Sequence, residues 1–388
     1  MAVEKLGRRF KDEAVGVYLI EPPLADTDLH RYVVSTRDTR DLMNHPEIIN
    51  CDFTNLLENG VTNMLKGLNM LEKLSTIGSK TVNVYHILRG GLNFGVREAL
   101  RKAFGYKWHS SSYISSQRVL KEGRFEISED TYRKFLVPNN ATVYFGDIVA
   151  SGISLDNGVH YLASYMERNG LELRNMVFIT IGCVEAERVL AKWHREFKAR
   201  FPRYERTILI YFEGRFALAG DDTPLANSLK DTDLLKSWKL GALLSPEFEG
   251  SQFGRMIVGL EGCAIYDGGK KSFEPVNHIR DVLEFWEKQM HAAERRGMTL
   301  WDEYNARFPL DMYFADIASL KEGGAETLAR GKAPLWQGLE PDEFRKLHGQ
   351  FRRLWSPDRI RAAQQPGSLA QVCAKKISYL KSLVADGE

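Results

Sequence analysis

An acid, Asp147, and two hydroxyls, Ser151 and Ser154, lie close together in the stretch Val143-Tyr144-Phe145-Gly146-Asp147-Ile148-Val149-Ala150-Ser151-Gly152-Ile153-Ser154-Leu155. Val143 to Phe145 are apolar and β-prone, which predicts a buried strand with Asp147 at its carboxyl end. Ala150 to Ser154 are small turn residues. Leu155, Val159, Leu162, Ala163 and Met166 then recur at helical spacing until Asn169-Gly170. The first turn of such a helix has free N–H groups and the positive end of the helix dipole. Two serines add donors, and a glycine lets an anion approach the backbone, so the turn suits a phosphate. The same residues also fit an ordinary strand-to-helix turn whose serines cap the helix. The loop alone leaves both readings open.

A second turn of this kind precedes it. Val82-Asn83-Val84-Tyr85-His86-Ile87-Leu88 reads as a strand, and Arg89-Gly90-Gly91-Leu92-Asn93-Phe94 leads into a helix through Leu100. The glycines allow backbone N–H groups to face a ligand, and Arg89 adds a fixed positive charge.

The later stretch resembles the diphosphoribosyl-binding signature of the type I phosphoribosyltransferases. That signature runs four mostly apolar residues, two acids, two apolar residues, a variable residue and Thr/Ser-Gly-x-Thr/Ser. It matches Val143 to Ser154 with one departure: Gly146 stands where the first acid belongs, and Asp147 keeps the second. Some members use an acid just before the Thr/Ser-Gly as a base; that position is Ala150 here. Arg89-Gly90-Gly91 is similar to the family's diphosphate loop and falls in the family's order. Pro23-Leu24, Leu29 and Arg37-Asp38-Thr39, followed by a long helix, resemble the start of the uracil-type members.

The resemblance implies 5-phosphoribosyl 1-diphosphate as donor, Mg²⁺ as cofactor, and a nucleobase or other nitrogen nucleophile as acceptor. The Ala150–Ser154 turn (Ala150, Ser151, Gly152, Ile153, Ser154) is then expected to anchor the 5-phosphate. Asp147 would contact the ribose hydroxyls and stabilise the cationic ring, and Arg89 with Gly90 and Gly91 would hold the diphosphate. Ser112-Tyr113 matches a Ser-Tyr pair at the root of the family's mobile loop, so the resemblance implies that Ser112, Tyr113 and Arg118 contact the substrate in a lid that excludes water. No residue is assigned as a protein ligand to the metal. A homodimer is expected.

The elements that must position these residues follow a β–α–β–α–β repeat over 81–213. It implies an α/β fold, type I phosphoribosyltransferase-like, with a mostly parallel sheet and helices on both faces. Ligands on such sheets sit at the carboxyl ends of the strands, where both turns fall. Ala14 to Ile20 reads as a short strand, and a helix from about Phe53 to Thr76 carries Leu56, Leu57, Val61, Met64, Leu65, Leu68 and Leu71 on one face. Tyr106 to Ile114 reads as a strand and Ser116 to Pro138 as a polar connection. A connection of that length is a lid, or else its charges belong to a solvated hairpin. Met176 to Cys183 and Arg206 to Phe212 read as strands, with a helix from Glu185 to Arg200 between them.

From Glu213 onward the likeness fades. Gly214-Arg215-Phe216 and Gly220-Asp221-Asp222-Thr223-Pro224 offer no convincing base pocket, and Met256–Val258 with Ala264–Tyr266 read as a hairpin. From Pro275 the period is helical: 276–295, 300–308, 311–320, 342–355 and 368–384. Residues 1–272 are therefore expected as the α/β domain and 273–388 as a helical extension. Trp286, Trp301, Trp336 and Trp355 are expected as core or interface anchors.

Composition is that of an ordinary globular chain. Of 388 residues, 44% are hydrophobic and 27% charged, enough for a large core. A net charge of +2 makes no electrostatic case for nucleic acid or an anionic membrane. The four cysteines have no metal-ligand spacing, and neither a membrane span nor a secretion signal is visible, so a cytoplasmic location is expected. Two rivals remain from other classes: a non-catalytic sensor of a phosphoribosyl compound or nucleotide on the same fold, and a scaffold whose helical tail carries the function.

Overall fold

A computed structural model describes residues 4–25, 27–121, 124–218, 234–237, 240–254, 274–307 and 356–387, and within the hairpin at 116–131 it describes the backbone only. The described elements begin with β1 (Lys5–Lys11), β2 (Val15–Glu21), β3 (Leu29–Thr36), α1 (Arg37–Asn44), α2 (Asn50–Glu72), β4 (Val82–Leu88) and α3 (Val96–Phe104). They continue with β5 (Ser110–Lys121), β6 (Arg124–Lys134), β7 (Ala141–Val149), α4 (Ile153–Arg168), β8 (Leu173–Cys183), α5 (Val184–Arg200) and β9 (Arg206–Leu218). Last come β10 (Leu234–Leu235), β11 (Leu243–Leu244), α6 (Pro246–Gly254), α7 (Pro275–Arg296), α8 (Leu300–Arg307), α9 (Pro357–Ala363) and α10 (Ser368–Gly387).

The strands run in the order β1-β2-β3-β9-β8-β7-β4-β5-β6, with β10 and β11 against the end of β9. From β3 through β5 every neighbouring pair is parallel. The edges are antiparallel, where β1 and β2 extend one side and β6 the other. The fold is α/β with a mostly parallel sheet. Its central strands are buried on both faces, so β4 and β7 read as nearly unbroken apolar runs rather than alternating ones.

Helices cover both faces. On one side Leu57, Val61, Met64 and Leu68 of α2 and Ala99 and Leu100 of α3 pack on Val84, Tyr144 and Ile179. On the other, Leu155, Val159 and Leu162 of α4 and Leu190, Trp193 and Phe197 of α5 pack on Tyr85, Phe145 and Phe178. Each buried Leu, Val, Ile, Met or Phe among them contributes about 1.5–3 kcal/mol by leaving water. The chain leaves β4 through α3 toward β5 on one side, then returns after the β5–β6 hairpin to place β7 on the other side of β4. The sheet's order therefore reverses at β4 and β7, which opens a crevice at their carboxyl ends.

Several expectations shift. The segment after Tyr106 is not yet strand: Tyr106 is buried with its hydroxyl donating to the Leu74 and Ile77 carbonyls (2.9 and 2.6 Å), which fixes a loop. The strand starts at Ser110 and runs on to Lys121, and β6 pairs back along it from Tyr113↔Lys134 to Lys121↔Arg124. The connection expected as a lid is thus a two-stranded hairpin. Arg118 lies on β5, and its side chain is outside the description. β1 and β3 are additional strands.

The C-terminal helices share the main core. Ile279, Val282 and Trp286 of α7 and Leu369, Cys373, Ile377 and Leu380 of α10 join the buried cluster that holds Leu42, Phe53 and Leu57, and Trp301 packs against it. Polar contacts add to this docking: His278 Nε2 donates to the Pro46 carbonyl at 2.6 Å, and Lys376 pairs with the buried Glu47. The expectations for 220–224, 256–258, 264–266, 311–320 and 342–355, and for Trp336 and Trp355, lie outside the described residues. Among the described residues no helix is long and apolar enough to cross a membrane.

Candidate functional site

The two turns found in the sequence flank the crevice between β4 and β7. The hydrogen-bonded register of these strands covers only Val82–Val84 and Thr142–Tyr144. Beyond it β4 runs on to Leu88 and β7 to Val149.

The turn after β7 is held from below. Thr180 Oγ1 donates to the Asp147 carbonyl at 2.8 Å, and Cys183 Sγ to the Ala150 carbonyl at 3.1 Å. Gly152 is the N-cap of α4, at φ 75°. That left-handed conformation suits glycine. A Cβ there would lie 3.0 Å from Val189 Cγ2 and 3.6 Å from the Glu185 carbonyl, so α5 leaves the position little room. A glycine cap has no side chain to accept from the first-turn N–H groups, and no side-chain cap bond is formed. The helix α1 shows the opposite arrangement, a complete capping box between Thr36 and Thr39. The N-cap position of α4 is thus a glycine, with Ser151 just before it and Ser154 in the first turn. Ala150, Ser151, Ile153 and Ser154 are half-buried around the buried Gly152.

Asp147 is half-buried, and its Oδ1 accepts the Ile148 N–H at 2.9 Å. Side chains alternate between faces along a strand. Position 147 therefore projects to the α4 side and position 146 to the α2–α3 side. There the structure explains the missing acid. A Cβ on Gly146 would stand 2.6 Å from Cγ and 2.7 Å from Cδ1 of Phe94, whose ring is 1% exposed. Gly91 completes the fit, since a Cβ there would be 2.9 Å from the Gly146 carbonyl oxygen. The turn after β4 is packed directly on the signature strand.

That turn begins at a cis Leu88–Arg89 peptide and forms a 3₁₀ segment, Gly90–Phe94. Arg89 is exposed, Gly90 half-buried and Gly91 buried. His86, beneath the turn, is 3% exposed and stacks on the half-buried Tyr113 with centroids 4.9 Å apart. Burial pushes its imidazole down to about 4, against a raising hydrogen bond to the Gly91 backbone, so His86 is neutral near pH 7.

Ser112 is not offered to a ligand. It is fully buried, and its hydroxyl accepts from Asn83 Nδ2 (3.1 Å) and from the Leu136 N–H (3.0 Å). Its role is to pin the end of β6 to β4. Asp147, Ala150–Ser154 and Arg89–Gly91 are brought to one end of the sheet, and Ser112 is spent on structure.

Position 146 gives no side-chain oxygen, and one carboxylate oxygen of Asp147 already accepts the Ile148 N–H. Among the described residues no group of three or more His, Cys, Asp or Glu is placed to hold a metal. The described residues do not make a protein-held Mg²⁺ site, which would need several oxygens in octahedral geometry.

An unforeseen acid lies within β9, just past the apolar run Ile208–Phe212. Glu213 is fully buried at φ 62°, a conformation rare outside glycine. Its carboxyl accepts from Ser35 Oγ (2.7 Å), the Thr36 N–H (2.9 Å), Thr39 Oγ1 and Ser245 Oγ (3.2 Å). It ties β3, α1 and α6 to β9. Arg40, which donates to Ser35 Oγ at 2.6 Å, sits beside it. Burial nevertheless raises the Glu213 carboxyl to about 7. The signal in the sequence is only an acid directly after an apolar strand. A raised folded value stabilises the fold below the unfolded pKa and loses that contribution as pH rises through about 7. The wild type should therefore lose up to roughly 3 kcal/mol between pH 5 and 8 through this group. Thermal melts of Glu213→Gln should show a flatter pH dependence across that window; parallel profiles would contradict the assignment.

An open groove lined by Thr27, Asp28, His194, Arg195 and Lys198 lies by the amino end of β3, away from these turns.

No family model matches this chain, and no curated protein does. Among solved structures it is similar to the AQ2163 protein from Aquifex aeolicus, at 14% identity, with 47% of this chain and 88% of that one covered and a TM-score of 0.33. It is similar to a hypoxanthine phosphoribosyltransferase from Staphylococcus aureus at 17% identity, covering 32% and 64%, TM-score 0.23. A purine phosphoribosyltransferase from Pyrococcus horikoshii aligns at 12% identity, covering 45% and 97%, TM-score 0.21. The neighbours named as phosphoribosyltransferases are of purine type, and none supports the uracil-type layout in particular.

Proposed function

We propose that this protein transfers the 5-phosphoribosyl group from 5-phosphoribosyl 1-diphosphate to a nucleobase or other nitrogen nucleophile, releasing diphosphate. One observation supports this most: the glycine-capped start of α4 lies next to Asp147 at the reversal of the sheet, across from the Arg89–Gly91 turn. The first-turn amides suit the 5-phosphate. The acceptor nitrogen bonds to ribose C1 as the C1–O bond breaks, and its electron pair leaves with the diphosphate. The acceptor's N–H proton passes to solvent or to the departing diphosphate, because Ala150 offers no base. Positive charge develops on the ring, and in this reading the Asp147 carboxylate favours it.

A second reading, a binding protein without turnover, is favoured by Phe94 standing where the first acid would be. Purified protein with the donor and a panel of nucleobases and amines, assayed for diphosphate, separates them. At least one acceptor should give catalytic release. No release from any acceptor, with donor binding seen by calorimetry, selects the binding protein; no donor binding removes both.

A further inference from the structure

We propose that the buried pair Arg31 and Arg215 is a carboxylate-binding subsite, filled in this structure by the chain's own Glu4, and that the acceptor substrate carries a carboxylate that takes Glu4's place. The proposal rests on the phosphoribosyl reading above only in calling this ligand the acceptor.

Four charges meet beside the first turn of α5. Arg31 of β3 is 1% exposed and Arg215 of β9 is 7% exposed. Glu4 gives one carboxylate oxygen to each guanidinium, Oε1 to Arg31 and Oε2 to Arg215, both at 2.6 Å. Glu187 of α5 likewise gives Oε2 to Arg31 at 2.8 Å and Oε1 to Arg215 at 3.0 Å. Planar guanidiniums suit a planar carboxylate, and here two of them share each one.

The two acids are not equivalent. The Glu187 side chain is 5% exposed and faces the core, whereas that of Glu4 is 33% exposed and lies just ahead of the edge strand β1. The arginines are therefore open to solvent through Glu4's place. Taking Glu4 away leaves two positive charges against one negative, and a buried charge without its partner is costly. A monoanion restores the balance, and a phosphate dianion oversteps it. Arg31 also keeps a buried Nε that has no partner among the described residues, a donor that Glu4 does not use.

The pair lies near the turns already described. Arg215 is in register with Gly182 of β8, and Gly182 with Val149, the last residue of β7. Arg215 is thus two strand spacings, about 10 Å, from the strand end that opens the Ala150–Ser154 turn. Glu187 belongs to the same helix as Val189 and Glu185, which stand against Gly152. A ligand held by the arginines is therefore on the face of the sheet to which Asp147 projects.

The test is calorimetry of the full chain with pyridine-3-carboxylate, pyridine-2-carboxylate and pyrimidine-4-carboxylate, each against its carboxamide. At least one carboxylate should bind about tenfold or more tightly than its amide. Glu4→Gln removes the internal competitor and should tighten that carboxylate by at least about threefold, leaving the amide unchanged. Arg215→Lys keeps the charge and loses the planar fork, and should weaken the carboxylate by about tenfold. Thermal melts verify folding; if one variant does not fold the other decides, and if neither folds the wild-type comparison decides. Equal Kd values for every pair, no carboxylate binding, or carboxylate binding that neither substitution alters would overturn the proposal and make Glu4 a structural tie alone. Diphosphate release with uncharged acceptors would then leave the phosphoribosyl reading standing. The expected carboxylate pattern without any donor binding would support the subsite and remove that reading.

Discussion

Asp147→Asn is expected to lower kcat by at least about a hundredfold, a loss of roughly 2.7 kcal/mol of transition-state stabilisation, while donor affinity changes much less. The reason lies in the strand. Position 146 is glycine and is covered by Phe94, so Asp147 is the one carboxylate that the signature segment contributes. Its backbone carbonyl is fixed by Thr180 and its Oδ1 by the Ile148 N–H, so its direction is set before any ligand arrives. Asparagine keeps the size and an oxygen for Ile148 and loses only the charge. That charge matters most when the ribose ring becomes cationic, which makes its contribution larger in the transition state than in the bound donor. In a protein that only binds, the substitution should appear as a modest rise in Kd and nothing more. Diphosphate release measured at saturating donor separates the two. If the wild type turns over and Asp147→Asn turns over equally fast, Asp147 does not stabilise the reacting ring.

How far the sequence showed this arrangement depended on how local its causes were. β4, β7 and β8 are buried on both faces and announce themselves as apolar runs, and α2, α7 and α10 keep a clear helical period. β3 was hidden by Arg31, a charge in a strand interior. Arg31 is 1% exposed, paired with Glu187 (2.8 Å) and Glu4 (2.6 Å), and donates to the Pro22 carbonyl. Burial of a charge on those terms needs partners from distant segments, which local pattern does not reveal. The start of β5 was misplaced because Tyr106 looks strand-like and the serines after it do not. The Gly146 departure was visible, but its cause, a ring from the preceding turn, exists only once β4 and β7 lie side by side. Ser112 was legible as a residue type, but the use of its hydroxyl, accepting from Asn83 Nδ2 and the Leu136 N–H, depends on β4 and the end of β6 meeting it. Glu213 stood in view directly after the apolar run of β9, yet the partners that hold its carboxyl, on β3, α1 and the start of α6, come from distant segments.

Ser151→Ala combined with Gly152→Val is expected to raise the Kd of the donor tenfold or more, about 1.4 kcal/mol. Two separate effects add. The alanine removes a hydroxyl beside the phosphate position. The valine does more, because Gly152 sits at φ 75°, where a β-branched residue is costly. Its Cβ would also lie 3.0 Å from Val189 Cγ2, with Glu185 close behind. The turn must shift, and the amides that open α4 shift with it. Gly152 is buried, but the turn is also anchored through the Asp147 and Ala150 carbonyls, so the fold should survive with reduced stability. Melting curves taken alongside calorimetry would establish that. Inorganic phosphate should compete with the donor in the wild type and lose that competition in the double variant, since both occupy the same amides. Unchanged donor affinity in a folded double variant would mean that the phosphate does not bind at the start of α4. The match at Ser151–Ser154 would then be a turn of the right composition with no ligand to hold.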